Sequence, residues 1–379
     1  MLKELTKLRK ELHQNPELSG KESDTANRIQ SFIKAFHPTE IISNLGDFGF
    51  AVVYEFSQTG PTIAIRCELD ALPIQEENQF AHRSKVEGVS HKCGHDGHST
   101  IVVGLIFWLK KQKFKHGKII LLFQSAEETG KGAFRMLEDE RFAPLGIDLF
   151  FALHNIPGAP MHDILLMNQG FSAEVISFSI KLKGKESHAS EPENGSNPAV
   201  TIAQLISEFS NLNFNHPEQE DFAVLTPVHL KMGEKSYGIS PADGELHYTI
   251  RTWTAEKMEI LKTKIEHLTK EKAKLNHLNF EIDWFEYFPA AQNNMECNQI
   301  IRKAAEANGF NIVEKTHPFR FGEDFGWFSQ QYKVGMFGLG AGESTPALHS
   351  NQYDFPDELI PTGLKMFQTV LKLVLDKQQ

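Results

Sequence analysis

At 379 residues, 40% of them hydrophobic and 10% aromatic, the chain is too long for one small core and too apolar for disorder, so two folded domains are expected. The formal charge of −10 argues against nucleic acid as the main partner, and Cys67, Cys93 and Cys297 are too few and too scattered for a disulfide framework. The longest apolar run, Ile101 to Leu109, falls short of a membrane span, and Met1 to Leu5 reads as an amphipathic helix start instead of a signal peptide, so a soluble cytoplasmic protein without a membrane partner is expected.

Leu5, Leu8 and Leu12 recur at helical spacing until Pro16 stops the helix. Strand-like runs follow at Phe50 to Tyr54 and Thr62 to Ile65. Ser99 to Lys111 predicts a buried helix. The runs Ile119 to Phe123 and Leu149 to Leu153 continue an alternation of strand and helix to about residue 170. That alternation predicts an α/β domain with a mostly parallel sheet covered by helices. The pattern changes near Val175. Ile176, Phe178, Ile180 and Leu182 alternate with Ser177, Ser179, Lys181 and Lys183, as in a strand with one wet face. A helix (Val200, Leu205, Ile206, Phe209), strands at Val228 to Met232 and Leu246 to Ile250, a helix (Met258, Leu261, Ile265, Leu268) and a strand (Phe280, Ile282, Trp284) complete a β-α-β-β-α-β order, the ferredoxin-like unit. After Pro289 the chain returns to helix, glycine-rich strand and helix. The expected organisation is a catalytic domain in two parts, 1–172 and 289–379, with an inserted α+β domain at 173–288.

The densest chemistry is His91-Lys92-Cys93-Gly94-His95-Asp96-Gly97-His98. A thiolate and an imidazole two residues apart suit a borderline-soft divalent metal; a buried free cysteine among satisfied histidines is the plain alternative. Glu127-Glu128 follows the run ending at Phe123, where a strand enters a loop. There one carboxylate can bind a metal while the other moves a proton, although surface Glu-Glu pairs are common. His154 and His349 each follow an apolar strand, and with Cys93, His95 and Glu128 they make five candidate ligands, enough for two ions sharing ligands. Asp70 also ends a strand. It can orient a ligand histidine or simply cap a helix. In the insert, His188 is a candidate donor to a substrate or transition state, and Arg251 can bind a carboxylate; a solvated loop histidine and an ordinary surface arginine are the alternatives.

In this order the residues resemble the aminoacylase/carboxypeptidase family of metal-dependent amidohydrolases, within it the branch of hippurate hydrolase, indole-acetyl-amino-acid hydrolase and N-acetyl-diaminopimelate deacetylase. The match runs from Leu8-Arg9-Lys10-Glu11-Leu12-His13 to Ser19, through Asp70-Ala71-Leu72-Pro73, His91 to His98, Gln124 to Glu128, His154-Asn155-Ile156-Pro157 and the His188 loop. It ends with Glu323-Asp324-Phe325 and Leu348-His349-Ser350. The resemblance implies that Cys93, His95, Glu128, His154 and His349 bind two divalent ions (manganese, zinc, cobalt or nickel), with Glu127 as general base and acid. It also implies an N-acyl amino acid or small amide conjugate as substrate, and a homodimer through the inserted domain whose His188 loop completes the partner's site. The chain departs from the family at Cys67 and Glu68, where Ala and Asp are usual, at Ser125, usually Pro, and at Gly238, where an Asn that helps hold the substrate backbone is usual.

The expected reaction is amide hydrolysis. Glu127 takes a proton from the attacking water and returns it to the leaving amine. Arg251 holds the amino acid carboxylate, and His188 stabilises the oxyanion. The rival readings are a thiol hydrolase with Cys93 as nucleophile and a non-catalytic protein that binds a metal or ligand.

Overall fold

The computed structural model describes residues 1–168 and 170–376. In chain order the first elements are α1 (Leu2–Gln14), α2 (Ser23–Lys34), β1 (Glu40–Ser43), β2 (Phe50–Glu55), β3 (Thr62–Glu68), α3 (His95–Leu109), β4 (Lys118–Gln124), α4 (Gly132–Glu138), β5 (Leu149–Ile156) and β6 (Ile164–Met167). Then come β7 (Glu174–Lys183), β8 (Ser187–His188), α5 (Ala199–Ser210), β9 (Ala223–Met232), β10 (Ile239–Ser240), β11 (Asp243–Thr252), α6 (Ala255–Leu275) and β12 (Asn279–Phe288). The last are α7 (Met295–Asn308), β13 (Ile312–Lys315), α8 (Gly326–Ser329), β14 (Lys333–Gly340) and α9 (Leu359–Leu375). No helix among the described residues is long and apolar enough to cross a membrane.

The chain folds as two compact units. One joins Met1–Phe171, Ala291–Pro318 and the chain from Glu323 onward; the other joins Ser172–Ala290 with the short segment Phe319–Gly322. The first unit is built on an eight-stranded sheet in the order β1-β2-β4-β3-β5-β14-β6-β13. Its centre is parallel, with Ile63 beside Ile119 and Gly338 beside His154, whereas β1–β2, β2–β4 and β14–β6 are antiparallel. β3 and β5 are buried along their whole length. Strands buried on both faces take apolar residues on consecutive positions, as Ile63 to Ile65 and Leu149 to Leu153 do, and their polar members Arg66, Glu68, His154 and Asn155 lie towards the carboxyl ends. Because β4, β3, β5 and β14 all point one way, their carboxyl ends open on one edge. Helix α3 lies in the core with Leu5, Leu8, Leu12, Leu364 and Phe367. It begins at His95, four residues before the expected Ser99, so His95 and His98 belong to its first turn.

The second unit has the four-stranded antiparallel sheet β12-β7-β11-β9. Phe178 opposes Tyr248 and Ile180 opposes Leu246, and these residues share a core with Leu205 and Phe209 of α5 and with Leu261 and Ile265 of α6. Ser177 and Lys181 take the opposite face, as their alternation requires. This is the expected ferredoxin-like order. Two features differ from the sequence reading. Val228, Leu230 and Met232 lie on β9 but are exposed, because β9 is the free edge of its sheet and a bulge shifts its register at His247/Tyr248. The His188 segment, read as a loop, is the strand β8 paired with β10.

Candidate metal centre and active site

The carboxyl edge of the large sheet gathers six of the singled-out side chains. Cys93 precedes α3 and His95 opens it; between them Gly94 has φ +104°, and a Cβ there would come within 2.3 Å of Asn155 Oδ1, so glycine is required. The Glu127–Thr129 segment is a 3-10 turn, entered through Ala126 at φ 55° and ψ 39°. His154 lies within β5. His349 has φ 64° and donates its backbone N–H to the Lys92 carbonyl at 2.7 Å. Left-handed backbone at residues with a Cβ, as at Ala126 and His349, costs about 1–2 kcal/mol each and needs surrounding support.

The Cys93 Sγ lies 3.5 Å from His154 Nε2. His95 Nε2 is 3.9 Å from both Glu127 Oε2 and Glu128 Oε1, and His349 Nε2 is 3.6 Å from Glu128 Oε2. Three sets have ligand atoms within 4.8 Å of one another: Cys93, His95 and His154; Cys93, Glu128 and His349; His95, Glu127 and Glu128. Shared Cys93, His95 and Glu128 make them one cluster able to hold two ions. His95 Nε2 and Glu128 Oε1 are buried without a hydrogen-bond partner among the described residues. Such atoms cost about 1–3 kcal/mol apiece unless something takes their lone pairs.

Electrostatics agree with that demand. Burial, with Glu323, Glu128 and Asp324 close by, pushes Glu127 well above the usual carboxylate range. Burial lifts Glu128 to about 7 against the pull of His95. The Cys93 thiol is pushed well up by burial and by Glu128 and Glu127. Burial and His98 lower His154 to about 3. Burial alone would lower His95, but its hydrogen bond to Asp70 and the charge of Glu68 outweigh that and raise it to about 10. Three acids that resist ionisation, with imidazole nitrogens between them, form a donor set short of positive charge, and a divalent cation would supply it. The residues fit a metal.

Two further groupings are already satisfied internally. His98 Nδ1 meets Glu68 at 2.7 Å and its Nε2 meets Asn155 Oδ1 at 2.6 Å. Glu323 and Asp324, near Glu127, are held by the wholly buried Arg66 at 3.0 and 2.8 Å. Arg66 also pairs with Glu68. Arg66 is not among the residues singled out from the sequence, although a charge directly after the apolar run Ile63 to Ile65 is its signal. Asp70 is the N-cap of no helix among the described residues. It accepts from Ser19 Oγ at 2.7 Å and from the Glu128 N–H at 2.9 Å, and one of its oxygens lies 3.1 Å from His95 Nδ1. That contact leaves His95 Nε2 facing the cluster. Lys92, also passed over, is buried with its Nζ 2.7 Å from the Tyr353 carbonyl and 2.5 Å from Glu76.

His188 and Arg251 belong to the second unit. His188 is exposed, its Nδ1 2.6 Å from Ser190 Oγ. Arg251 donates to the Arg320 carbonyl at 2.8 Å and forms no ion pair with a carboxylate among the described residues. Gly238 accepts the Ala189 N–H at 3.0 Å, and a Cβ there would meet nothing within 4 Å.

Similarity to known proteins points the same way. The N-acetyl-L-cysteine deacetylase of Bacillus subtilis is 31% identical over 331 residues, 86% of this chain and 77% of the relative. The N-acetylcysteine deacetylase of the same organism is 28% identical over 375 residues, 98% of this chain and 97% of the relative. A dinuclear metal binding peptidase of the M20 family from Bacillus subtilis superposes with a TM-score of 0.83 at 27% identity, covering 100% of this chain and 99% of that one. A putative aminohydrolase from methicillin-resistant Staphylococcus aureus gives 0.87 at 23% identity, covering 99% and 97%, a likeness of fold. The model of peptidase family M20/M25/M40 matches residues 64–373, and with this fold and this metal-binding donor set the chain belongs to that family of hydrolases.

Proposed function

We propose that this protein hydrolyses the amide bond of N-acyl amino acids or small amino-acid conjugates, as the branch of hippurate hydrolase, indole-acetyl-amino-acid hydrolase and N-acetyl-diaminopimelate deacetylase does. The observation that carries this proposal is the gathering of Cys93, His95, Glu128, His154 and His349 around Glu127, with His95 Nε2 and Glu128 Oε1 buried and without a hydrogen-bond partner among the described residues. Two relatives named as deacetylases of an N-acetyl amino acid support the substrate class. Divalent ions held by these five donors would supply Lewis acidity and make water a stronger acid. Glu127 is the proton carrier. The Asp324 N–H donates to its Oε1 at 3.2 Å, which fixes the carboxylate, and Oε2 faces the cluster. Burial and the neighbouring acids hold its pKa well above the usual carboxylate range, which strengthens it as an acceptor of the water proton that it then returns to the leaving amine. Asp70 orients His95 and the Glu128 backbone. Arg251, which has no acidic partner among the described residues, takes the amino acid carboxylate.

The thiol-hydrolase reading is disfavoured, because a nucleophilic cysteine needs a lowered pKa and Cys93 is pushed the other way. The test is a hydrolysis screen of N-acyl amino acids with manganese, zinc, cobalt and nickel in turn. Dialysis against a chelator should abolish turnover and metal should restore it. Activity that survives complete metal removal would favour Cys93 as nucleophile. Bound metal without turnover across the panel would favour a ligand-binding protein.

The same reading makes the active form a homodimer through the second unit, with His188 serving the partner's site. The exposed apolar residues of edge strand β9 offer a surface for a second copy. Glu127→Ala and His188→Ala should each be poorly active alone. In a mixed dimer one site has both residues intact. Exchange at equal amounts makes half the dimers mixed, so about a quarter of all sites should recover. Proven exchange without recovery would show that His188 acts in its own subunit or not at all.

A further inference from the structure

Glu22 sits immediately before α2, fully buried, and forms no ion pair among the described residues. An acid at a helix start ordinarily stays near the surface and caps that helix. Glu22 makes no side-chain cap with α2. Its Oε1 instead accepts the Ala126 N–H at 2.7 Å and the Gly20 N–H at 3.0 Å. Burying a carboxylate without a counter-charge is costly, so the contact it makes there requires a reason. Ala126 is the left-handed residue that aims the two carboxylates after it. The rest of the turn has its own anchors: the Ala126 carbonyl accepts from the Gly132 N–H at 3.0 Å, and the Glu128 N–H goes to Asp70 at 2.9 Å. Glu22 therefore secures the upstream end of the turn and Asp70 its middle. Leaving the Ala126 N–H buried without this acceptor would cost about 1–3 kcal/mol, the size of the left-handed penalty that the hydrogen bond helps to offset.

We infer that Glu22 is a positioning residue, which holds Ala126 left-handed and so directs Glu127 and Glu128 into the metal cluster. The inference rests on the reading of Glu127 as proton carrier and Glu128 as metal ligand. Glu22→Met, which fills the space without an acceptor, should lower both kcat and cobalt(II) affinity by roughly 10- to 100-fold, the range for lost support behind a metal ligand. It should also change the visible spectrum of the cobalt-loaded protein. Glu22→Gln, which keeps the acceptor oxygen, should stay within roughly 3-fold of wild type. The decisive variant adds Ala126→Gly, since glycine adopts positive φ freely. Glu22→Met with Ala126→Gly should regain most of the cobalt affinity and kcat, an effect that general stabilisation would not produce. Where Glu22→Met alone does not fold, the double variant should fold and turn over; one that stays unfolded, or folds and stays inactive, overturns the inference. Normal cobalt affinity and kcat in folded Glu22→Met overturns it too. Glu127→Gln serves as the control: full activity there removes the underlying reading, whereas an inactive Glu127→Gln beside a normal Glu22→Met removes only the role of Glu22.

Discussion

Glu127→Gln should lose at least about 100-fold in kcat while keeping its metal, the low end of what removal of a general base costs. The amide is nearly isosteric with the carboxylate, and its oxygen can still accept the Asp324 N–H that holds Oε1 at 3.2 Å. Packing and position are thus preserved, and only the capacity to take a proton is removed. Elemental analysis after metal loading, alongside the rate, checks both halves. His349→Ala makes the contrast. It deletes a donor 3.6 Å from Glu128 and should lower metal occupancy together with the rate. Glu127 also stands within reach of His95 and Glu128 as a third donor. If Glu127→Gln sheds metal as readily as His349→Ala, its carboxylate is a ligand and another group carries the proton. Wild-type activity in Glu127→Gln would end its assignment as base altogether.

Arg66→Met should cost about 3–5 kcal/mol of stability, the range for breaking a buried ion pair from one side. Arg66 is fully buried and touches Glu68, Glu323, Asp324 and the Gln124 side-chain oxygen, the last at 3.0 Å. Methionine fills much of its volume but leaves three carboxylates facing one another without a cation. The pH dependence follows from Glu68. Burial would raise its pKa, but Arg66 and then His98 hold it far below the usual carboxylate range. A carboxylate with a depressed folded pKa contributes stability that is present above its unfolded value, near 4.5, and is lost as pH falls through the folded one. Removing Arg66 removes that contribution, so the deficit should be largest at neutral pH and shrink towards acid pH. Denaturant midpoints of wild type and variant from pH 7 down to about pH 3, across the unfolded value near 4.5, measure it; a deficit that does not depend on pH would mean that lost packing, not charge, dominates.

The parts of this protein that a local pattern can encode were legible in the sequence. β3, β4 and β5 announce themselves through the apolar runs Ile63 to Ile65, Ile119 to Phe123 and Leu149 to Leu153, because parallel central strands are buried on both faces. The insert declares itself through the alternation of Ile176, Phe178, Ile180 and Leu182, which face its core; the opposite face, expected to be wet, is exposed only at Lys181 and Lys183, while Ser177 and Ser179 are buried. Metal-ligand residue types standing at or just past the ends of such runs, as His154, Glu128 and His349 do, already mark an edge where ligands meet. Tertiary structure alone decided how that edge is assembled. Glu22 meets Ala126 across 104 residues and Arg66 meets Asp324 across 258. Neither pair leaves a trace in spacing, since periodicity records which face of an element is buried and says nothing of what lies opposite. The antiparallel outer strands, the β8–β10 pair and the exposed apolar strip of β9 are likewise matters of partner and register. A strand's own residues specify its faces; its neighbours are chosen by the packing of the whole chain.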